Sequence, residues 1–320
     1  MKIVTKSRFA LVCMALLSFM VSCNNDDDPK TVDNTITAIA VKNSNLSILV
    51  NALTRADLAT TLKGAGPFTV FAPTDAAFTA FLKTTAYATI NDVPKDVLTQ
   101  ILLNHVVSGN VKAADLKTGY IKTLAKSAAS GTNTMSMYVD LTSGVKLNGV
   151  SKVTTADIMA SNGVIHVVDA VINLPTIVTH ATANQNFTTL VEALTAKGQP
   201  DFVSVLSGTG PFTVFAPTNA AFSALNTELA PGGISAVSDA NLTKVLQYHV
   251  VSGNILAASL TEGQTVTPIL TPAQTFMIQL NGGAKIKDIN NRMSNIIITD
   301  VQCSNGVIHA IDKVLLPNLK

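Results

Sequence analysis

A nine-residue stretch that occurs twice constrains the fold more than any other feature of this 320-residue chain. Residues 66–74 read GPFTVFAPT, and residues 210–218 repeat them letter for letter 144 residues later. A period of this length corresponds to a whole domain rather than to a solenoid unit. Only residues 174–176, with Pro175 in the middle, separate the two copies. We therefore predict one module written twice, with a restricted angle between the copies.

The composition favours an exported protein and argues against nucleic-acid binding. Apolar residues make up 47% of the chain and charged residues 13%, whereas a typical soluble domain has about 25% charged residues. Without Lys2, Lys6 and Arg8, which lie in a signal segment, 19 of the 22 basic residues remain against 20 acidic ones. A nearly neutral chain without a basic cluster lacks the electrostatic attraction that nucleic acids require. The absence of Trp and the presence of only four Tyr weigh against stacking platforms for sugars.

Residues 1–22 have the pattern of a signal peptide. A basic start precedes the apolar run of residues 9–21, which is too short to span a membrane. Ser22 precedes Cys23 as in a bacterial lipobox, where the cysteine becomes the acylated first residue, although Met20 replaces the usual Leu. We predict that Cys23 is a lipidation site. The alternative is an ordinary secretory signal in which Cys23 is incidental.

Residues 23–34 are predicted to be a flexible acidic tether between the lipid and the folded part. The three aspartates at 26–28 resemble surface-export signals of Bacteroidetes lipoproteins, and a solvated linker explains them equally well. Adjacent carboxylates on a flexible tether cannot preorganise metal ligands, so we predict no metal site here. The protein is expected to be an outer-membrane lipoprotein whose folded part faces the cell surface or the periplasm.

Cys303 has no expected disulfide partner. Cys13 leaves with the signal and Cys23 carries the lipid, so the third cysteine remains alone. The corresponding residue of the first copy is Ala160. This pairing with Ala predicts a small buried position rather than a reactive thiol.

The pattern of each copy predicts short helices packed against strands. Residues 68–71 are apolar on both faces, which indicates a central, covered strand. Thr74 follows and is predicted to be a helix N-cap. The Asn-Gly pair at 162–163 lies between two apolar runs and predicts a tight hairpin turn with positive φ values. Because the second copy repeats this order, we predict domains over residues 35–175 and 176–320.

Two sequence boxes occur in both copies and resemble those of the fasciclin-like domain family. The first box occupies residues 69–78 and 213–222. The second box occupies residues 161–169 and 304–312. They occur in the family's order and spacing, and the likeness extends over both predicted domains.

A third, Tyr-His box strengthens the resemblance. It is intact in the second copy as Tyr248-His249, whereas the first copy has Asn104-His105. The box positions to which we assign a structural role are Thr69, Phe71, Pro73, His105, His166, Thr213, Phe215, Pro217 and His309.

The resemblance implies an α+β fold of two tandem fasciclin-like domains. Each domain is expected to be a twisted antiparallel β-sandwich or wedge with several short packed helices. The family is one of extracellular or surface modules linked to cell adhesion and matrix contact. The resemblance implies no enzyme, no catalytic residue, no cofactor and no metal.

The histidines allow a chemical and a structural interpretation. His166 lies between apolar residues, with Asp169 three positions further on, so the pair could form half of a catalytic or metal site. The structural interpretation is a half-buried imidazole whose nitrogens bond to nearby backbone groups or a carboxylate. The structural interpretation is the stronger one, because most buried polar groups simply have hydrogen-bond partners.

Candidate adhesive residues come from the resemblance to animal matrix relatives, in which integrin recognition has been assigned to the Tyr-His region and to an Asp-Ile motif. Tyr248 and His249 match the first, and Asp157 and Ile158 resemble the second. Their apolar neighbours favour packing over adhesion as the role of both stretches.

The leading hypothesis is therefore a non-enzymatic, lipid-anchored surface or envelope protein that mediates adhesion. Its partner would be a protein or glycan on a cell or matrix surface, with membrane contact through the lipid alone and no nucleic acid. An alternative is a glycan-binding accessory protein of a polysaccharide-uptake system. A third hypothesis is a hydrolase with a His/Asp site.

Overall fold

A computed structural model describes residues 33–320, which include both copies of the repeat. The predicted signal segment, Cys23 and nearly all of the tether fall within residues 1–32 and lie outside the described part. Residues 34–320 form one compact unit. We call the two copies repeat 1 and repeat 2.

The two repeats contain the same elements in the same order. Repeat 1 consists of α1 (Ile36–Lys42), α2 (Ser47–Arg55), α3 (Leu58–Lys63), β1 (Phe68–Pro73), α4 (Asp75–Lys83), α5 (Lys95–Asn104), β2 (Val106–Ser108), β3 (Gly119–Lys122), β4 (Ser136–Asp140), β5 (Lys146–Leu147), β6 (Ser151–Ala160) and β7 (Gly163–Val168). Repeat 2 consists of α6 (Ile177–Ala183), α7 (Thr188–Leu194), α8 (Phe202–Ser207), β8 (Phe212–Pro217), α9 (Asn219–Glu228), α10 (Asp239–Tyr248), β9 (Val250–Ser252), β10 (Thr265–Val266), β11 (Phe276–Gln279), β12 (Lys285–Lys287), β13 (Met293–Cys303) and β14 (Gly306–Ile311).

Threonine after the first-box proline starts a helix in each repeat. Pro73 and Pro217 are the last residues of β1 and β8. The Thr74 hydroxyl then accepts a hydrogen bond from the amide of Ala77 over 3.2 Å, and Thr218 caps α9 in the same way. The predicted N-cap is therefore confirmed, and it turns the chain directly from strand to helix.

Each repeat contains one seven-stranded sheet, which confirms the α+β class. In repeat 1 the order is β2-β1-β7-β6-β5-β4-β3, and repeat 2 has the equivalent order. The expected antiparallel pairing holds throughout the sheet of repeat 1 except between β1 and β7, which pair in parallel. A parallel neighbour requires a long crossover, and nearly the whole repeat lies between these two strands.

The long strand β6 divides the sheet of repeat 1 into two layers. Its first residues, Ser151 and Lys152, pair with β5, and the rest of the strand pairs with β7. The β6–β7 register shifts twice, between Val153 and Thr155 and between Thr155 and Ile158. Such bulges bend a strand. The helices pack on one face of the β1–β7 layer, and β3–β5 cover its other face.

Strand β1 is central and covered, as its apolar sequence predicts. It lies between β2 and β7. Val70 packs with the helices, whereas Phe71 points to the opposite core and is fully buried. The equivalent Phe215 is buried in the same way in repeat 2.

The predicted hairpin is present, since β6 and β7 pair antiparallel as far as Ala160 and Gly163, but its turn lies one residue earlier than predicted. The turn occupies Ser161 and Asn162, and Gly163 is the first residue of β7, with φ +152°. The buried Asn162 side chain donates to the carbonyl oxygens of Leu62 and Gly64 over 2.7 Å each. Asparagine is needed here to join α3 to the sheet, because its amide satisfies carbonyls that the helix end leaves open.

Within residues 33–320, no single helix has both the length and the apolar character to cross a membrane. The adjoining helical segments Ile36–Lys42 and Ser44–Arg55 reach that length only together, and a bend of 108° separates them.

Candidate functional site

The first-box threonines are buried ties between strands and loops. The Thr69 hydroxyl donates to the carbonyl oxygen of Gly109 over 2.7 Å and accepts from the amide of Val111 over 2.8 Å. Thr213 makes the two equivalent bonds at the same distances. Both side chains are fully buried, so their role is structural.

The second-box histidines stack on first-box phenylalanines. Phe71 and His166 have ring centroids 5.4 Å apart and planes inclined by 26°. Phe215 and His309 repeat the contact at 5.4 Å and 23°. All four rings are fully buried, which joins the two family boxes within each core.

Both ring nitrogens of His166 are engaged by the backbone. Nε2 lies 2.9 Å from the carbonyl oxygen of Val111, and Nδ1 accepts from the amide of Asp157 at 3.2 Å. This pattern corresponds to a neutral imidazole with its proton on Nε2. Asp169 does not contact the ring, since its carboxylate accepts from the amide of Lys152 over 2.7 Å. The His166 nitrogens thus bond to backbone groups, as the structural interpretation expects, although the ring is fully buried rather than half-buried. The His/Asp pair is not assembled.

His309 is held in the same way in repeat 2. Its Nε2 lies 2.8 Å from the carbonyl oxygen of Ile255, and its Nδ1 accepts from the amide of Asp300 over 3.3 Å. Burial lowers the pKa of this ring.

His105 and His249 join the C-terminal end of a helix to the segment that follows the last strand of each repeat. His249 Nδ1 lies 2.7 Å from the carbonyl oxygen of Val245, and Nε2 accepts from the amide of Leu315 over 2.9 Å. His105 makes the equivalent bonds, at 2.8 Å each. Burial lowers the pKa of both imidazoles to about 4, so both are neutral at physiological pH.

Tyr248 is enclosed in the core of repeat 2. Its ring is fully buried, and its hydroxyl donates to the carbonyl oxygen of Thr275 over 2.7 Å. Burial raises its pKa to about 12. The folded repeat therefore presents neither Tyr248 nor His249 to a partner. Their expected adhesive role conflicts with this burial, because packing uses both rings.

The Asp-Ile stretch lies on the bulge of β6 and is partly accessible. Asp157 is exposed and has φ +58°, and its carboxylate accepts from the amide of Ala113 over 2.9 Å. Ile158 is half-buried and packs against the helical core. Met159 follows with 50% of its surface exposed. Of the four predicted adhesive residues, only Asp157 and Ile158 reach the surface.

The same bulge in repeat 2 is occupied by repeat 1. Asp300 has φ +55° and caps Ala257 as Asp157 caps Ala113. Its carbonyl oxygen accepts from Lys122 Nζ over 2.8 Å. The hydroxyl of Ser136 accepts from the amide of Gln302 over 3.0 Å. No repeated motif marks Lys122 or Ser136, so the sequence gives no signal from which this contact could be predicted.

His180 lies at the contact between the repeats. It is fully buried, and neither ring nitrogen has a hydrogen-bond partner in the described residues. Its ring meets Tyr120 of repeat 1 edge to face, with centroids 5.3 Å apart. Burial lowers its pKa to about 3, against the opposite effect of nearby backbone groups of Ser136 and Gln302, so the ring is neutral.

Cys303 is fully buried, as its correspondence to Ala160 predicts, and it is a free cysteine. Burial raises the pKa of its thiol, which keeps the reactive thiolate unpopulated. In the part of the chain that the structure describes, no group of three or more His, Cys, Asp or Glu side chains is placed to hold a metal ion.

Comparison with known proteins identifies the family. A family model described as "Fasciclin domain" matches residues 44–175 and 185–317. Since these matches cover most of the chain, the protein belongs to the fasciclin domain family.

Proteins of bacteria and of animals are among those similar to this chain. "Protein sll1483" of Synechocystis is 43% identical over 142 residues, which is 44% of this chain and 73% of that protein. The "Transforming growth factor-beta-induced protein ig-h3" of Oryctolagus cuniculus is 28% identical over 262 residues, which is 80% of this chain and 36% of that protein. A solved FAS1 domain pair from the insect cell adhesion molecule Fasciclin I has a TM-score of 0.48 and 17% identity, with 89% of this chain and 96% of that chain covered.

Proposed function

We propose that this chain is an exported, lipid-anchored protein that mediates adhesion through its two fasciclin domains. The membership of both repeats in this family carries the proposal, because fasciclin domains are linked to cell adhesion in relatives such as periostin and ig-h3. In this account Cys23 holds the acyl chains and residues 24–34 keep the folded pair away from the outer membrane. The partner is a protein or glycan on a cell or matrix surface.

A non-enzymatic role fits the chemistry of the box histidines. Backbone groups contact both ring nitrogens of His105, His166, His249 and His309, so none of these imidazoles is available as a base or a metal ligand. A substrate could reach them only if the core opened. Activity of a folded chain toward any hydrolase substrate, lost in His166→Ala, would contradict this part of the proposal.

The adhesion proposal is tested by a clean deletion strain. We expect the strain to attach less to host-cell or matrix surfaces, and the wild-type chain to restore attachment. A Cys23→Ser chain, expressed to the same level, should be exported without its anchor and should not restore attachment. Unchanged attachment in the deletion strain would overturn the proposal.

The glycan-binding alternative finds less support in the accessible surface. Tyr138 and Tyr248 are buried, and Tyr87 and Tyr120 are half-buried. Sugar recognition by stacking requires an exposed ring face, and none of the four tyrosines is exposed. A glycan array probed with the full chain separates the two functions, because a specific hit would favour this alternative.

A further inference from the structure

The contact between the repeats uses a different face of each repeat. The strand-end face of repeat 1 consists of Tyr120, Lys122, Ser136 and Tyr138. The bulge face of repeat 2 consists of His180, Asn184, Asp300 and Gln302.

Hydrogen bonds and ring contacts join these two faces. Besides the bonds of Lys122 and Ser136, the Asn184 amide donates to the Tyr120 hydroxyl over 3.1 Å. The buried members of this contact are polar or aromatic, and Gln302 and His180 are fully buried.

Because the chain is a repeat, each face occurs a second time. The bulge face of repeat 1 consists of Ile39, Asn43, Asp157 and Met159. The strand-end face of repeat 2 consists of Thr265, Thr267, Thr275 and Met277. Strand pairing fixes the second correspondence, since Ile278 pairs with Ile286 as Val139 pairs with Leu147. The matching bulge conformations of Asp157 and Asp300 fix the first.

These two second faces are uncovered among residues 33–320. Met159 is 50% exposed, whereas its counterpart Gln302 is fully buried. Met277 is 40% exposed, whereas its counterpart Tyr138 is 4% exposed. In each pair, the residue within the internal contact is buried and its counterpart on the other repeat is exposed.

The open bulge face is more apolar than the covered one, and the open strand-end face carries no charged side chain. Ile39 stands where repeat 2 has His180, and Met159 stands where it has Gln302. On the other face Met277 replaces Tyr138, and Thr267 replaces the cation Lys122. Exposed apolar groups at both ends of a tandem favour contact with each other over contact with water. The polar bond can also be kept, because Thr275 offers a hydroxyl at the position of Ser136.

We propose that the bulge face of repeat 1 binds the strand-end face of repeat 2 in a second copy of this chain. Each copy then offers one face of each kind, so the contact is heterologous and copies add head to tail. The internal contact between the repeats supplies the geometry of the contact between chains. This assembly does not depend on what the chain adheres to.

Engineered cysteines test the pairing directly in the full chain. Met159 and Thr275 correspond to Gln302 and Ser136, which are hydrogen-bonded within the chain. Under mild oxidation, a mixture of Met159→Cys and Thr275→Cys chains should give a disulfide-linked dimer, and the double variant should give a ladder of larger species. Wild-type chain run in parallel gives the background from its own cysteines. No mixed dimer above that background, or a dimer of either single variant alone, would overturn the proposal.

Sedimentation of the full chain in detergent provides a second test, with a matched control. Met159→Glu places a charge on the bulge face and should weaken self-association at least tenfold. Val205→Glu changes an equally exposed side chain (49%) on α8, outside both faces, and should associate like wild type. A wild-type chain that stays monomeric up to about 1 mM would contradict the proposal, because that concentration corresponds to an interaction of only about 4 kcal/mol.

Discussion

Lys122 Nζ donates to the carbonyl oxygen of Asp300 over 2.8 Å and thereby joins the first repeat to the second. The same ammonium group lies 3.1 Å from the Ser136 hydroxyl, which in turn accepts from the amide of Gln302. One lysine thus bridges the end of a strand pair in repeat 1 and the bulge of β13 in repeat 2. Although the residue as a whole is exposed, the partial burial of its ammonium group lowers its pKa.

Removal of this cation should loosen the two repeats from each other. In Lys122→Met the Asp300 carbonyl and the Ser136 hydroxyl lose their charged donor, while the apolar stem is kept. We expect calorimetric unfolding to change from one transition to two. Lys126→Met, an exposed lysine nearby, should unfold like wild type. A single unchanged transition in both variants would show that Lys122 does not couple the repeats.

The buried first-box phenylalanines should carry a large part of the stability of each repeat. Phe71→Ala or Phe215→Ala removes a fully buried ring that stacks on a histidine, so we expect a loss of roughly 3–5 kcal/mol in the free energy of unfolding. Denaturant titration measures the loss. Val41→Ala, at a position that is 63% exposed, is the control and should change stability by less than about 0.5 kcal/mol. A loss under about 1 kcal/mol for either Phe variant would contradict the assignment of a central strand.

Gly163 is required by a close backbone approach as well as by its φ angle. A Cβ at this position would lie 1.9 Å from the carbonyl oxygen of Phe68 in the parallel neighbour β1. Gly119 has a similar φ, +144° against +152°, but no atom lies within 4 Å of its Cβ position. Gly163→Ala should therefore lower the free energy of unfolding by about 3 kcal/mol or more, and Gly119→Ala by only about 1–2 kcal/mol.

Chemical denaturation of the two glycine variants separates backbone strain from steric clash. Both variants have the unfavourable φ, but only the Cβ at position 163 meets a neighbouring strand. Equal losses would mean that β7 can move away from β1 without cost. Such a result would contradict the tight parallel pairing of these two strands.

The sequence predicted well those features that depend on local pattern. Burial was predicted from the apolar run at 68–71 and from the correspondence of Cys303 to Ala160. The cap was predicted from Thr74, which bonds to a backbone amide three residues later. The exact repeat also made the architecture visible, since equal sequences form equal elements. These features required no knowledge of long-range contacts.

The sequence did not predict features that depend on contacts between distant residues. Asn162 resembles a turn residue, yet its amide binds carbonyls about 100 positions earlier. The parallel pairing of β1 and β7 likewise joins residues far apart in the chain, and so does the hydrogen bond from Lys122 to the backbone carbonyl of Asp300. Tyr248 and His249 resemble an adhesive motif, but only the fold shows that both are enclosed.

Acid should destabilise the folded chain through its buried neutral histidines. The pKa values of His105 and His249 are lowered by burial from 6.5 to about 4, and that of His180 to about 3. The unfolded chain binds these protons near pH 6.5 and the folded chain does not, so stability is present above pH 6.5 and falls as the pH drops toward 4. Each of these histidines should cost about 2 kcal/mol at pH 5 relative to pH 7.5.

Urea titration at pH 7.5 and pH 5 and at constant ionic strength measures this loss. The window lies above the range in which carboxylates ordinarily take up protons, so it isolates the histidines. Equal free energies of unfolding at the two pH values would show that the imidazoles are more accessible than the structure indicates.

The most direct test of the proposed surface-anchored role is protease treatment of intact cells combined with mass analysis of the mature N-terminus. The account predicts a mature chain that begins at acylated Cys23, and removal of both fasciclin domains by external protease. A mature N-terminus elsewhere, without acyl chains, would contradict the anchor. An acylated chain that resists external protease but is cut after the outer membrane is permeabilised would place the domains in the periplasm and contradict adhesion at the cell surface.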